Sequence, residues 1–254
     1  MKYALLSETV NIKTISEDNK IGKFSVEGLY PGYGLTLGNS LRRVLLSSLP
    51  GAAVTQFKVK GVLHEFSTIP GVVEDVVEIG LNLKKIRFQF FAEEPQVLTL
   101  KIKGEKDVVA GDIEANTQVV VMNPEEHLFT VTDKKADVEM EITVDKGLGY
   151  VPVERRKTEK LEIGVVALDA IFTPVQAVSF KVDNMRVGDR TDYNKLDLEI
   201  VTDGTITPSD ALHKAGNILL DHFKKISEIS VRELSAETGK SGKKKSPARE
   251  KKEE

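Results

Sequence analysis

The chain has 254 residues, of which 40% are hydrophobic and 30% charged, a composition typical of a soluble globular protein. It contains no cysteine, which excludes disulfides and thiolate metal sites. The net charge is −3, but the last fifteen residues carry +4, so the rest carries about −7 and is too acidic to wrap nucleic acid nonspecifically. The first apolar patch, Tyr3 to Leu6, is too short for a signal peptide, and no window is long enough to span a membrane, so we expect a cytoplasmic protein.

The first predicted helix lies within residues 32–54, which read GYGLTLGNSLRRVLLSSLPGAAV. Glycines that lead into a helix often cradle phosphate, but a phosphate-binding loop ends in Gly-Lys-Ser or Gly-Lys-Thr, and here Asn39 follows Gly38. The spacing of the three glycines also differs from the dinucleotide-binding fingerprint. The pattern therefore disfavours a nucleotide-binding site. An autonomous nucleotide-binding protein that uses this loop remains the rival hypothesis in which the chain is an enzyme.

The same helix is predicted to be apolar on more than one side. Its main face consists of Leu37, Leu41, Val44 and Leu45, and a second side carries Leu46 and Leu49. A helix that is apolar on two sides is usually buried on two sides, either as a central core helix or between this chain and a partner. Arg43 lies on a third face among serines, and these serines and Gly38 would permit the close approach of a partner chain.

The next elements are a strand, a second helix and a β-rich section. VTQFKVKG predicts a half-buried strand in which Phe57 and Val59 point the same way. PGVVEDVVEIGLNLKK predicts a helix that begins at Pro70, with acidic residues at the positive end of its dipole. Short strand signals separated by Gly, Asp, Asn and Pro fill residues 86–165, which predicts an all-β module.

After residue 165 the pattern is mixed again. VSFKVDN and LDLEIVTDG predict strands, and a long helix follows with Thr207 as N-cap, Pro208 in its first position and Asp210 in a capping-box arrangement. Beyond Glu237 the chain loses its apolar residues, and residues 229–254 are predicted to form a disordered tail.

No arrangement of residues predicts an active site. The histidines lack the spacing of metal ligands, and the carboxylates form only loose pairs such as Asp189 and Asp192. We therefore predict no catalytic residue and no metal site, and the chain is interpreted as an assembly module. A third hypothesis, a stand-alone nucleic-acid binder, depends only on the basic tail, and the acidic body argues against it.

Several long motifs resemble those of the bacterial-type RNA polymerase alpha subunit family. They are the stretch quoted above and, in order, GVLHEFSTIPGVVEDVVEIGLNLK, GLGYVPVE and RTDYNKLDLEIVTDGTITPSDAL, and the likeness covers about residues 5–228. The resemblance implies an α+β amino-terminal domain of two subdomains. Residues 1–48 and 166–228 would form a dimerisation subdomain, and residues 49–165 would form a mostly β insert.

The resemblance also implies the activity and the partners. Alpha subunits of this family form a homodimer, which is a non-catalytic scaffold on which the beta and beta-prime subunits of DNA-directed RNA polymerase assemble. Those large subunits carry the DNA, the magnesium and the zinc, so no cofactor is expected in this chain. Omega and sigma are expected as further partners in the holoenzyme. The implied location is the bacterial cytoplasm, with a plastid as the alternative.

Positions that match the family's motifs imply three sets of contact residues. Arg43 and Leu46 correspond to the positions that contact beta. The positions used toward beta-prime, on the other protomer, correspond to Glu78, Lys84, Leu168 and Asp169. The expected dimer interface consists of Leu37, Leu41, Leu45, Leu46, Leu49, Leu212, Gly216, Leu219 and Phe223.

The end of the chain departs from the family's pattern. Family members usually continue through a flexible linker into a small helical carboxy-terminal domain that binds upstream promoter DNA. Here the lysine-rich tail follows the last predicted helix. Recognition of upstream DNA by this chain is therefore not expected.

Overall fold

The computed structural model describes residues 8–114, 116–156 and 162–230. Within them, three α-helices and fourteen strands, paired antiparallel, form several small sheets, which confirms the predicted α+β class. Almost all of the predicted disordered tail, residues 229–254, lies outside the described residues.

The helices are α1 (Tyr33–Ser47), α2 (Val76–Leu83) and α3 (Pro208–Ser227). The strands, in chain order, are β1 (Asn11–Glu17), β2 (Ile21–Leu29), β3 (Pro50–Val59), β4 (Phe88–Phe90), β5 (Gln96–Lys103), β6 (Lys106–Val109), β7 (Val119–Val121), β8 (His127–Val131), β9 (Asp137–Leu148), β10 (Tyr150–Val151), β11 (Val165–Ala167), β12 (Ala170–Ile171), β13 (Val175–Val187) and β14 (Arg190–Thr202).

The two ends of the described chain fold together into an outer unit, residues 8–49 and 174–230. Its sheet has the strand order β1-β2-β14-β13, and α1 and α3 pack against each other and against this sheet. The predicted alternation in β14 is confirmed, because Leu196, Leu198 and Ile200 are all buried. The shared core of sheet and helices contains Phe24, Leu45, Leu49, Val175, Leu198, Ile200, Ala211 and Ala215.

Residues 50–173 form an insert unit with a separate core. A four-stranded sheet of order β11-β3-β9-β5 supports α2 and three two-stranded ribbons, β4-β7, β6-β8 and β10-β12. The predicted half-buried strand is confirmed, since Phe57 and Val59 both lie in this core. The core also contains Leu83, Leu100, Phe129, Met140 and Ile142.

The chain leaves the insert unit later than the predicted boundary at 165/166. Strand β11 pairs with β3, with Val166 opposite Phe57, and Val166 is part of the insert core. Strand β12 pairs with β10, and Phe172 packs with Ala170 in a small adjoining cluster. The boundary therefore falls near residue 173, because two strands that follow residue 165 find their hydrogen-bonding partners in the insert.

Helix α2 begins six residues later than predicted. The N-cap of α2 is Asp75, and the helix does not start at Pro70. The Asp75 carboxylate accepts the backbone N–H of Glu78 at 2.7 Å. The residues before it are held extended by isolated bridges, which pair Thr68 with Asp75 and Val72 with Val131. Tertiary pairing of this segment therefore overrides the helical spacing of its valines.

Two leucines of the predicted dimer interface belong to the protomer's own core. Leu45 and Leu49 are both 0% exposed and pack with the sheet of the outer unit. Leu49 follows the end of α1 at Ser47, so the helical spacing that assigned it to a second side does not apply. Neither side chain has surface to offer a partner, and both are removed from the predicted interface.

Candidate interaction surfaces

The amides at the start of α1 are already bound by a side chain of the same protein. Gly32 and Gly34 donate their N–H groups to Oδ1 of Asn194, at 2.8 and 3.3 Å. Asn194 is buried in β14, and its own Nδ2 donates to Oδ1 of Asn184 at 3.3 Å. A phosphate group would have to displace this network, so the structure gives no support to a nucleotide site at residues 32–38.

The glycines of α1 serve packing within the protomer. Gly34 and Gly38 are buried, and a Cβ added to them would lie 2.6 Å from Val182 and 2.7 Å from the ring of Phe180. These distances are too short for any side chain, so both glycines let α1 lie directly on the sheet. The expectation that Gly38 admits a partner chain is therefore wrong, because its space is filled by Phe180.

Helix α3 extends beyond the core that supports its first turns. The cap is as predicted, with Asp210 N–H donating to Thr207 Oγ1 at 3.3 Å, but the Asp210 carboxylate pairs with Lys214 at 2.6 Å instead of completing a capping box. Only Pro208, Ala211 and Ala215 of this helix are buried.

One face of α3 is apolar along the length of the helix, and it becomes exposed to solvent beyond the first turns, which pack on the core. We name this face, which consists of Leu212, Gly216, Leu219, Phe223 and Ile226, the α3 stripe. Leu212 packs against the core, whereas Phe223 and Ile226 are 57% and 64% exposed. A Cβ added to Gly216 would meet no atom within 4 Å, so the stripe is open at its centre. Such an exposed apolar face is typical of a protein–protein interface.

The other predicted residues of α1 lie at or near the surface. Leu37 and Leu41 are half-buried at the edges of the outer unit's core. Arg43 is exposed, and Leu46 is half-buried, with its backbone carbonyl accepting the hydroxyl of Thr173 at 2.9 Å. Arg43 and Leu46 are one turn apart on α1 and are therefore neighbours on the helix.

The residues predicted to face beta-prime lie on the insert unit, and we name them the insert surface: Glu78, Lys84, Leu168 and Asp169. Three of them meet, because Lys84 Nζ lies 3.7 Å from Asp169 Oδ2 and Leu168 packs beneath α2. A Cβ at Gly80 would lie 3.1 Å from Leu168, which explains the glycine in this helix. Glu78 is exposed in the first turn of α2, at the opposite end from Lys84.

The carboxylate of Asp169 is engaged within the chain. It accepts the N–H of Val153 at 3.0 Å. This hydrogen bond, together with the Tyr150 hydroxyl and the positive charges of Lys84 and Arg156, lowers the pKa of Asp169 despite partial desolvation. Asp169 therefore remains ionised and holds together the two segments that border the insert surface.

Arg156 is a further residue of this region that sequence reasoning missed. Its Nη1 donates to the carbonyl of Thr55 at 2.9 Å, and its Nη2 donates to the carbonyl of Leu168. Burial lowers the pKa of the guanidinium, and the carboxylates of Asp169 and Asp145 oppose this shift. The only signal in the sequence is its position two residues after the end of the GLGYVPVE motif, which gives no indication of its contacts.

Among residues 8–114, 116–156 and 162–230, no three His, Asp or Glu side chains are close enough to hold a metal ion. His127 Nε2 lies 3.0 Å from the Glu74 carboxylate, and His64 pairs with Ser67. In the same part of the chain, no helix is long and apolar enough to cross a membrane.

An exposed apolar helix face on a folded α+β domain is typical of a subunit of a larger assembly. Comparison with known proteins agrees. The family model of the RNA polymerase Rpb3/RpoA insert domain matches residues 56–173, which coincides closely with the insert unit.

The curated relatives extend this match to most of the chain. The chain is 51% identical over 219 residues to the DNA-directed RNA polymerase subunit alpha of Symbiobacterium thermophilum, covering 85% of this chain and 69% of the relative. It is 51% identical to that of Alkaliphilus oremlandii over 84% of this chain and 67% of the relative, and 48% identical to that of Chloroherpeton thalassium over 89% and 69%. The chain therefore belongs to the family of DNA-directed RNA polymerase alpha subunits, and it is a subunit of that nucleotidyltransferase.

Proposed function

We propose that two copies of this chain dimerise through α1 and the α3 stripe, and that the dimer is the scaffold on which the beta and beta-prime subunits assemble. The observation that carries the proposal is the exposure of Phe223 and Ile226 on a helix whose first turns are well supported. A single protomer leaves this apolar surface in water, whereas a second copy would bury it twice, once on each protomer.

The open space at Gly216 supports the same arrangement. Glycine lowers the stability of a helix interior by about 1 kcal/mol relative to alanine. Within the protomer nothing occupies the space that a side chain at this position would fill. Close approach of a second helix explains why the chain keeps a glycine here.

The two remaining surfaces fit the two large partners. Arg43 is exposed beside Leu46, and its planar guanidinium is suited to bidentate bonds with carboxylates or carbonyls of beta. The insert surface combines the exposed Glu78 with the ion pair of Lys84 and Asp169, and it would face beta-prime. A twofold dimer presents each surface twice. Beta would bind one protomer through Arg43 and Leu46, and beta-prime would bind the insert surface of the other.

Omega, sigma and DNA would join through the assembled complex. The magnesium and zinc of the polymerase would be held by the large subunits, and this chain would contribute no ligand to them. The relatives named above are bacterial, and we place the function in the bacterial cytoplasm, with a plastid as the alternative.

The test of the dimer is sedimentation equilibrium of the full chain at micromolar concentration. Wild type is expected as a dimer, and Phe223→Asp is expected to weaken dimerisation by about thirtyfold or more, because a carboxylate would be buried in an apolar interface. Val97→Asp, at an exposed position of β5 in the insert unit, is the matched control and should leave the dimer intact. A monomeric wild type, or equal dimerisation by Phe223→Asp, would contradict the proposal.

A further inference from the structure

Arg156 joins two segments of the insert unit that are distant in sequence. Its guanidinium donates to the carbonyls of Thr55, in β3, and of Leu168, between β11 and β12. The same carbonyl of Thr55 also accepts the backbone N–H of Leu168 at 2.9 Å. The backbone N–H of Leu168 is therefore bound by Thr55, and its backbone carbonyl is bound by Arg156.

Thr55 has no paired residue in β9. The pairing of β3 with β9 shifts register between Val54 and Gln56, so Thr55 is the extra residue of a β-bulge. A bulge leaves a residue outside the regular ladder of hydrogen bonds. Thr55 is nonetheless buried, and its carbonyl accepts two donors, the N–H of Leu168 and Nη1 of Arg156. Arg156 and Leu168 supply the donors that the ladder does not.

A second hydrogen bond joins the same two regions. The Asp169 carboxylate accepts the N–H of Val153, three residues before Arg156. The segment that contains Val153 and Arg156 therefore donates twice to the segment that contains Leu168 and Asp169. Two bonds of this kind fix the orientation of a short loop as well as its distance.

We propose that Arg156 is a positioning residue for the insert surface: it holds Leu168 and Asp169 in the orientation in which they contact beta-prime. This role rests on the proposed function of the insert surface. Arg156 acts through the backbone of Leu168, and its donors are directed into the protein, so it makes no direct contact with the partner through them.

The chemistry of arginine is required for this role. Its planar fork presents several N–H donors at fixed angles and can reach two carbonyls at once, whereas the lysine ammonium is a single point of charge. Arg155 provides the matched control, because it is adjacent in sequence, carries the same charge and is exposed.

The test measures how tightly the complex of the full-chain dimer with beta binds purified beta-prime. Arg156→Met is expected to weaken this binding by about tenfold, and Arg155→Met is expected to leave it unchanged. Leu168→Ala should weaken it as well. In a Leu168→Ala background, Arg156→Met should add little, because both substitutions affect the same contact. Dimer mass and binding of beta should be those of wild type in every variant.

Hydrogen exchange gives a readout that does not depend on any partner. In the Arg156→Met dimer, the amides of residues 165–171 should exchange faster than in wild type, while those of β5 and β9 remain protected. Where Arg156→Met does not fold, Arg156→Gln, which retains one donor, replaces it in both measurements.

The outcomes separate the two proposals. Normal beta-prime binding by Arg156→Met, or additive effects of Arg156→Met and Leu168→Ala, would overturn the role of Arg156 while the insert surface stands. Failure of wild type to bind beta-prime, or normal binding by Leu168→Ala, would instead overturn the assignment of the insert surface itself. Faster exchange across the whole insert unit would make Arg156 a general stabilising residue and also overturn its positioning role.

Discussion

At the scale of single residues, glycine serves two physical purposes within seven positions of the chain. Gly32 adopts a φ of 87°, in the left-handed region, as the residue that precedes α1. Gly34 and Gly38 have helical backbones and are required for a different reason, since Val182 and Phe180 occupy the space of a Cβ. A phosphate-binding loop and a close helix–sheet contact thus produce the same glycine-rich sequence.

Replacement of Gly38 tests this close contact. Gly38→Ala should lower the free energy of unfolding by about 1–3 kcal/mol, because the added methyl group would lie 2.7 Å from the Phe180 ring. The measurement is urea denaturation at fixed protein concentration. Asn39→Ala, at an exposed position of the same helix, is the control and should change stability by less than about 0.5 kcal/mol. Equal stability of Gly38→Ala and wild type would refute the packing argument.

Arg43 is expected to act in assembly and not in folding. Its side chain is exposed in the protomer, so Arg43→Ala should leave the melting curve and the dimer mass unchanged. Loss of an interfacial arginine that becomes desolvated typically costs about 2 kcal/mol, which would weaken binding of beta by about thirtyfold. Arg42→Ala, the exposed neighbour, serves as the control for capture of purified beta. Normal capture of beta by Arg43→Ala would disprove this role, and an unfolded or monomeric Arg43→Ala would reassign the residue to structure.

At the scale of elements, the start of α2 depends on a carboxylate outside the helix. Glu74 accepts the N–H of Thr130 at 2.7 Å and lies 3.0 Å from His127, so it ties the residues before α2 to β8. Burial alone would raise the pKa of Glu74, but the hydrogen bonds from Thr130 and His127 outweigh burial and lower it below its usual value. A lowered pKa means that the folded state favours the ionised carboxylate.

The sign of the pH dependence follows from this shift. Stability from Glu74 is fully present above its unfolded pKa, about 4.3, and is lost as pH falls through its lower folded pKa. Glu74→Gln should therefore be less stable than wild type at pH 7, and the difference should shrink as pH falls through the lowered pKa of folded Glu74, because the wild-type carboxyl group then becomes neutral as well. Urea denaturation at several pH values measures it. A difference that stays constant down to pH 3 would show that the charge of Glu74 makes no contribution.

At the scale of the whole molecule, the base of the insert unit contacts the outer unit near the end of α1. The Thr173 hydroxyl donates to the Leu46 carbonyl at 2.9 Å, so the end of the insert lies beside the point where the chain enters it. A second link joins Arg87 of the insert to Asp203 of the outer unit, at 3.8 Å. This base lies next to Leu46 and Arg43, so the proposed contact with beta is close to the junction of the two units.

The lysine-rich tail is expected to be dispensable for fold and dimer. Deletion of residues 239–254 removes a net charge of +4 but no large apolar side chain, so it removes no packing contribution to the core. The melting temperature and the sedimentation mass should match those of the full chain at equal concentration and buffer. A fall of several degrees in melting temperature would assign the tail a structural role.

Patterns that depend on neighbours in sequence could be predicted well. Thr207 and Pro208 mark the start of α3, and the alternation of Leu196 and Leu198 gives the buried face of β14, because caps and strand faces are determined over a few residues. The motifs at matching positions likewise identified the family from the sequence. The alignment of apolar side chains along one face of α3 also follows from spacing, because the helical period aligns them whatever surrounds them. Their exposure to solvent does not.

Only the tertiary structure determines which residues each of these elements contacts. The burial of Leu45 and Leu49, the contact of Gly38 with Phe180 and the bond from Arg156 to Thr55 all join residues far apart in the chain. The strands after residue 165 belong to the insert for the same reason, because their pairing partners lie about a hundred residues earlier for β11 and about twenty earlier for β12. Periodicity in the sequence indicates which side chains are buried. The residues that bury them are determined by the packing of the whole chain, and no local pattern in the sequence indicates which residues those are.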